Sequence, residues 1–590
     1  MTNQTTAVAA AIRTRFLLAA IGTGAGLALW YLAEILPDQT DNERLIVALI
    51  MLAGSFFAVV LAASGPLRPG PAALAAASTA ALSTLLFTWA GFRFDSPTGL
   101  FETGPAVAAW VLLVAIPTPF LIAALRPREL WRDYPALFSH AWGITVRYVA
   151  AWAFTGTFWG VLMLSDQVLQ IVGIDVIERL LDIEAVPFGL TGLVLGLGLA
   201  VVYELREMIS PALVLRLLRL LLPLVFVVSL VFVIAVPFNG LGGLLQGISA
   251  AGTLMGMAVA AVTLVTVTID RTGEDAAEAA VLTWSARLMS LLVALLGGLA
   301  VWAVYLRIDQ YGLTPDRIAA LTGAAVTLVY GLAYAGAVVL GADWQARIRR
   351  ANVTLALGLV ALAALWLTPI LNAERMAVRS QMARLETGKI PPADVDLWTL
   401  GHDWGRVGSA ALERLRAPDH PMAEALAPVL ARLDAADNQY EYRHGDSQAG
   451  ARQNYSALRA VLPIRPEGRE LPDQLADETA TASVDQTLQG VLAGCRRQTK
   501  AGAPACVGVI GQFHPGKGDE PLFIYWDGTR VQLRFLGGSD FDRRPIVSEP
   551  KSLLAGSGLI DQVLAGDYSL SPPWFDALHV GGISIWARTH

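Results

Sequence analysis

Lysine is missing from the first 373 residues of this 590-residue chain; all four lysines lie beyond them. Charge of either sign is scarce in the same stretch. It holds 20 of the 43 Lys and Arg residues, 22 of the 49 Asp and Glu residues, and one of the seven histidines. Charged residues make up 16% of the whole chain, against about 25% in an ordinary soluble domain, so a single soluble globule of this length is excluded. No basic stripe is interleaved with aromatics, which argues against nucleic-acid binding. The two cysteines, Cys495 and Cys506, are eleven positions apart, the wrong spacing for a C-x-x-C redox motif, and without nearby histidines they make a poor zinc site. "PGKGDE" at 515–520 sets a lysine between glycines but lacks the G-x-x-x-x-G-K-[ST] spacing and a preceding strand-to-helix turn. It reads as a turn between strands, and the chain carries no ATP-binding motif.

What the sequence does hold is long apolar runs. A membrane crossing needs roughly 20 mostly apolar residues, and eleven segments qualify: 16–36, 44–64, 71–91, 104–125, 143–165, 186–206, 217–240, 248–269, 286–307, 318–341 and 351–371. Lipid offers no partner to a free backbone group, so these runs are expected to be helices. The first follows Arg13 and Arg15 and resembles a signal peptide, but it outruns the usual apolar core and no A-x-A site follows, so it reads as a retained signal-anchor. With the N-terminus inside, the inner segments carry fourteen arginines and the outer loops five (Arg44, Arg93, Arg179, Arg307 and Arg317), a bias that favours this orientation. An odd number of crossings then leaves the C-terminal region outside.

Three small-residue series have the four-residue spacing that lets helix backbones approach closely: Gly22 and Gly26; Gly192, Gly196 and Ala200; Gly252, Gly256 and Ala260. The competing explanation is that Gly and Ala are simply common in membrane helices. Pro117 and Pro119 lie inside one span, and Pro223 and Pro237 interrupt another; each removes a backbone donor and is expected to kink or break its helix. Broken helices can form midplane binding sites in transporters, although an ordinary kink is the commoner outcome. No span has an acidic residue near its centre, which weakens a proton-driven transporter. "RPRELWRDYPALFSH" at 126–140 should lie on the inner surface. "GIDVIERLLDIEAVPF" at 173–188 reads as an interfacial or loop helix on the outer side.

Beyond the last span, helical spacing of Trp404, Val407, Ala411 and Leu415, and of Met422, Leu426, Val429 and Leu433, predicts a juxtamembrane helical layer over 372–435. Residues 436–482 are polar and turn-rich and read as a linker or long loop. From 483 to 590 the pattern is that of a small α+β domain: a helix through Val484, Leu488, Val491 and Cys495, then strands at 505–513, 521–526, 531–536 and 581–587, with a hairpin turn at Asp527-Gly528-Thr529. In an outer compartment Cys495 and Cys506 can close a disulfide between helix and sheet; two buried free thiols are the alternative. The expected fold is thus a polytopic α-helical membrane bundle of about eleven helices (16–371, after a short N-terminal segment, 1–15) with a C-terminal soluble α+β domain.

No catalytic or metal residues are assigned, and no cofactor is expected. Ser548 and Lys551 have an S-x-x-K spacing, with Ser552 beside them, but Pro550 intervenes. His402 with Asp403, and His444 with Asp446, read as solvent-facing loop clusters.

The passage "RSQMARLETGKIPPADVDLWTLGHDWGRVGSAALERL" resembles the end of bacterial multi-pass proteins of domain-of-unknown-function family 4153. The likeness rests on Ser380, Gln381, Arg384, Leu385, Gly388, "DVDLWTL", Gly405-Arg406 and Ala411-Leu412, and it extends loosely over residues 20–415. It implies a location in the cytoplasmic membrane and supplies no activity or ligand. The expected role is structural, sensory or envelope-assembly, with the lipid bilayer, envelope proteins or a second copy as partners. The alternatives are a transporter or channel with a path at the proline-broken and glycine-rich helices, and a membrane-bound enzyme with a site in the tail.

Overall fold

The computed structural model describes residues 2–590 except 128, 205–210, 245–248, 274–275, 472–481, 500, 514–518, 529, 536–545, 548–556, 572–576, 581–582 and 587–590. It divides into two compact units, Met1–Leu426 and Ala427–His590.

Among the described residues of the first unit, eleven segments are long and apolar enough to cross a membrane. They are α1 (Thr2–Trp30, extended by a π turn over Tyr31–Ile35), α2 (Glu43–Ala63), α3 (Pro69–Gly91), the pair α4 (Gly104–Ala115) and α5 (Pro117–Leu125), α6 (Tyr134–Ile171), α7 (Ala185–Glu204), α8 (Pro211–Leu244), α9 (Ala250–Ile269), α10 (Ala280–Tyr311), α11 (Pro315–Val339) and α12 (Trp344–Trp366). Side chains such as Leu220, Leu224, Val228 and Val231 on α8 are exposed, as expected for a surface bathed in hydrocarbon.

Connecting segments gather at two ends. At the end where α1 begins, here called proximal, Arg15 binds Glu204 at the end of α7 with nitrogen–oxygen distances of 2.5–3.1 Å. There Arg147 donates to the Ala62 carbonyl at 2.8 Å, Tyr203 to the Gly65 carbonyl at 2.9 Å, and Arg219 pairs with Asp270. At the opposite, distal end, Arg44 donates to the carbonyls of Gly91, Phe94 and Asp95, and Arg93 to those of Trp366 and Thr368. The end of the last crossing therefore meets the loop after the third, as an odd number of crossings requires.

The Gly22/Gly26 and Gly192/Gly196 series pack against one another. A Cβ on Gly22 would collide with the Gly192 carbonyl and lie 3.2 Å from the Gly196 Cα; one on Gly26 would collide with the Phe188 carbonyl. α1 and α7 run antiparallel at backbone contact, so that Arg15 faces Glu204 while Ala200 is buried with Leu18 and Ala151. Gly252, Gly256 and Ala260 are placed differently. They lie on the exposed side of α9, and a Cβ on Gly256 would meet nothing within 4 Å. The buried side of α9 is instead Leu254, Ala258, Ala261 and Val265. Close approach in this half of the bundle occurs at Gly297 and Gly331, where a Cβ would lie 2.6 Å from the Leu328 and Ala294 Cα atoms respectively.

The prolines also divide. Ile116 separates α4 from α5 while keeping helical angles (φ −71°, ψ −41°), with Pro117 at the first position of α5; the Thr118 hydroxyl donates to the Val114 carbonyl at 2.6 Å. Pro223 and Pro237 do not break α8, which stays helical through both. A single lost i→i−4 bond does not end a 34-residue helix held by its neighbours on either side.

The second unit is layered. Its helices are α16 (Gln439–Val461), α17 (Ala482–Cys495) and α18 (Gly558–Leu564); α13 (Ala373–Glu386) and α14 (Gly405–Arg416) belong to the first unit, and α15 (Ala423–Asp434) crosses the boundary. Residues 439–461, expected as linker, thus form a helix. Tyr455 and Leu458 supply its apolar face, and Asn438 caps it by accepting from the Glu441 amide at 2.9 Å. One sheet has the order β1 (Ile464–Arg465), β2 (Cys506–Gly511), β3 (Glu520–Trp526), β4 (Val531–Phe535); β1 is parallel to β2 and the rest are antiparallel. The other has the order β5 (Ile546–Val547), β8 (Ile583–Trp586), β7 (Ala577–Val580), β6 (Ser569–Ser571).

Val507, Val509, Leu522, Ile524, Val531 and Leu533 face the second sheet and α18. Cys506, Phe523 and Tyr525 face α16 and α17. The strand β4 alternates buried and part-buried residues, whereas β2 is buried on both faces. Gly490 and Gly494 let α17 lie against Tyr525, and the Cys495 and Cys506 sulfurs are 2.09 Å apart, a disulfide tying that helix to β2.

Two outcomes follow. Gly22→Val or Gly196→Val should cost about 3 kcal/mol or more, since backbone blocks the new side chain, whereas Gly256→Ala should stay within about 0.5 kcal/mol; graded unfolding in mixed detergent micelles reads the difference. In the tail, burial under α17 pushes the Tyr525 hydroxyl pKa up, with Arg534 opposing and Asp527 adding. A raised folded-state pKa means that stability is intact below about pH 10 and is lost as the pH rises beyond it. The urea midpoint of the tail should therefore fall between pH 9 and pH 11 (roughly one unit either side of the free phenol), and Tyr525→Phe should flatten that fall.

Candidate functional site

Two features of the first unit gather polar side chains in a specific geometry. The first is a clasp at the distal end. Helix α10 ends at Tyr311, leaving carbonyls without helical partners. Side chains of α13 take them: Arg384 donates to the Asp309 and Gln310 carbonyls at 3.1 and 2.7 Å, and Gln381 to those of Tyr311 and Leu313 at 3.1 and 2.9 Å. The Ser380 hydroxyl accepts from the Leu313 amide at 3.1 Å.

Arg93 is the second anchor of the clasp. Its guanidinium donates to the Trp366 and Thr368 carbonyls at 2.8 and 2.5 Å and pairs at 3.4 Å with Glu374, which is itself buried. Burial holds the Arg93 pKa below its usual value, and Glu374 partly offsets that. The Arg93 carbonyl accepts from the Arg406 amide at 2.9 Å, while the Arg406 side chain reaches Asp95 at 3.0 Å. This approach requires Gly405: its φ is +58° and a Cβ would sit 2.5 Å from the Arg93 carbonyl oxygen. A cleft of about 510 Å³ lies beside the clasp, with Arg317, Arg384, Lys389, Asp394 and Asp396 on its walls. Arg317 and Arg384 are already engaged with loop carbonyls, so the cleft reads as a by-product of the docking.

The second feature is a groove of about 380 Å³ in the proximal half, where α5 and α6 face α9, α11 and α12. Ile116, Pro119, Phe120, Trp142 and Val353 make it largely apolar. Its polar members are grouped. The Tyr334 hydroxyl, buried beneath the groove, donates to Asn352 Oδ1 at 2.7 Å and lies 2.8 Å from the Thr266 hydroxyl; Asn352 and Thr266 are on the wall. The Tyr134 hydroxyl, of a residue also on the wall, is buried beside the Asn352 side chain.

No family model, no curated protein and no solved structure matches this chain. The two features therefore have to be read from their own chemistry.

The residues singled out in the sequence fall as follows. Pro117 and Pro119 border the groove; Gly192, Gly196 and Ala200 do not, and of the Gly252 helix only residues beyond Ala260 reach it. His402 stacks on Trp398 at 4.1 Å between ring centroids and Nδ1 meets the Trp398 carbonyl, which accounts for it as a structural side chain. Ser548, Lys551 and Ser552 lie outside the described residues, as do 515–518 of "PGKGDE". Among the described residues no three His, Cys, Asp or Glu side chains gather as metal ligands. Sequence reasoning missed the Tyr134–Asn352–Thr266–Tyr334 group; its one legible sign was the placement of hydroxyls and an amide inside otherwise apolar runs.

Arg93→Ala would leave Glu374 buried and unpaired and should cost about 3–5 kcal/mol, read as a lower thermal midpoint and faster tryptic cleavage within 375–389. Replacing both partners by Met should recover much of that loss, because the desolvation cost of both charges disappears together.

Proposed function

We propose that this protein is a structural or sensory component of a bacterial cytoplasmic membrane, with its proximal end in the cytoplasm and residues 427–590 in the periplasm. The observation that carries the reading is the clasp. Arg93, Gln381 and Arg384 donate to loop carbonyls and so fix the segment that leads out of the last crossing. Such an anchoring suits a protein whose exit segment is fixed at the membrane surface and whose tail meets envelope proteins or a second copy.

The side of the membrane is supported by the fourteen-to-five arginine bias and by the odd number of crossings. The Cys495–Cys506 pair supports it independently, since such bonds persist in oxidising compartments. Membership in family 4153 is part of the same proposal and rests on the passage at 379–415, whose quoted residues Ser380, Gln381, Arg384, Gly405 and Arg406 are those of the clasp. A conducting role is less favoured: the groove walls lie within about 18 Å of the proximal end, counting 1.5 Å per helical residue, and do not reach the distal loops.

A membrane-impermeant maleimide applied to spheroplasts tests the arrangement. Labelling of the tail in intact spheroplasts only after reduction is the expected result. Labelling that needs lysis but no reductant would place the tail in the cytoplasm with free thiols and overturn the proposal.

A further inference from the structure

We infer that Arg287 and Arg347 form a site for the phosphodiester of an anionic phospholipid in the proximal leaflet, beside the indoles of Trp284 and Trp344. Depth places them at the right level. In α10 no charged side chain lies between Arg287 and Arg307, a stretch of about 30 Å of helix, which is the thickness of the hydrocarbon core. Arg307 stands by the distal clasp, so Arg287 marks the proximal border of that core. In α12 the rise from Arg347 to Trp366, whose carbonyl Arg93 holds at the distal end, is about 28 Å. Two helices thus bring a guanidinium to the layer of lipid phosphates and glycerols.

Packing holds the two cations together. The Arg287 guanidinium carbon lies 5.4 Å from the Trp284 ring centroid and 5.5 Å from that of Trp344. Trp344 is buried in the core with Met289 and Ile348 and forms a fixed wall, whereas Trp284 is 59% exposed on the outer side of α10. Arg347 follows Trp344 by one helical turn, so the two are neighbours on α12. Other proximal arginines are accounted for by the protein itself. Arg219 pairs with Asp270, and Arg349 donates to the carbonyls of Ile269, Asp270 and Thr272.

Arg287 and Arg347 differ. Among the described residues neither guanidinium has an ion pair or a hydrogen bond; Arg287 Nε and Arg347 Nη1 are enclosed, and the other nitrogens of each remain accessible from outside. A half-buried cation without a counter-charge is costly. A phosphodiester brings one negative charge and acceptor oxygens that suit the planar donor fork of arginine, and it lies at this depth. Its acyl chains stay in the leaflet, so no cavity is needed. Phosphatidylethanolamine would set its ammonium against the same two cations, whereas phosphatidylglycerol carries no opposing charge. Basic pockets between membrane helices select anionic headgroups on this ground. The inference does not depend on which compartment the proximal end faces.

The test uses the full-length protein in nanodiscs made of equal amounts of phosphatidylglycerol and phosphatidylethanolamine with matched chains. Native mass spectrometry reads the ratio of the two lipids retained. Wild type should retain phosphatidylglycerol in preference by roughly 5- to 25-fold, the effect of one or two arginines on an anionic headgroup. Arg287→Gln and Arg347→Gln should each lower that ratio by about 3- to 5-fold. They lie on different helices, which guards against a folding defect in either. Arg287→Lys keeps the charge and should hold the ratio above that of Arg287→Gln. Arg132→Gln removes an exposed arginine elsewhere at the proximal end and should leave the ratio unchanged. A wild-type ratio of one overturns the inference, as does a ratio unmoved by both glutamine variants. An equal fall with Arg132→Gln also overturns it, because the preference would then come from diffuse surface charge. Inorganic phosphate added to the same discs is the control for source: the retained phosphatidylglycerol should stay, and its displacement by millimolar phosphate would assign the site to the free ion instead.

Discussion

The guanidinium of Arg93 sits where three parts of the membrane unit come together: the loop after the third crossing, the end of the last crossing, and the helix that follows it. Removed from water, it can persist only because two carbonyls and Glu374 surround it. Those carbonyls belong to the turn that closes the eleventh crossing, where helical partners have run out. One desolvated cation therefore satisfies a helix end and fixes the exit of the chain from the bundle, and the carbonyl of the same residue accepts from the Arg406 amide. The distal architecture depends on this exchange, because Glu374 would otherwise be buried without its partner.

The two halves of the bundle use different devices for close packing. Between α1 and α7 the contact is backbone on backbone along a run of glycines, finished at the proximal end by the Arg15–Glu204 pair. Between α10 and α11 single glycines, Gly297 and Gly331, each receive the facing helix, within a core that includes Met289, Leu296 and Tyr334. The groove lies between these two halves, where neither device operates. Its polar group is buried in the wall.

Much of this fold was legible from residues alone, and the reasons for the remainder are physical. Continuous apolar runs mark membrane crossings because lipid tolerates little else, so the eleven spans and the alternation Val531, Leu533, Phe535 could be read directly. Helix α16 could not: "QYEYRHGDSQAGARQNYSALRAV" has two glycines and few apolar side chains, and its helical state depends on tertiary burial of Tyr455 and Leu458. Spacing identified three small-residue series but could not say which would meet. Two of them face each other, and the third lies on the outside because α9 buries its larger residues. The clasp was opaque for another reason. Its bonds run from side chains to main-chain carbonyls far away in sequence, and a carbonyl leaves no trace in residue type.

The antiparallel match of α1 with α7 also bears on how the molecule is assembled during synthesis. The first helix enters the bilayer with its glycine face open, and the surface that covers it is encoded some 165 residues later, four further crossings having been made in between. Until then the nascent chain carries an unpaired seam at its very start. The six-crossing half is accordingly the shortest stretch that covers this seam, and a ribosome halted before α7 is made leaves behind a fragment whose first helix touches α2 and α6 but keeps its glycine face bare.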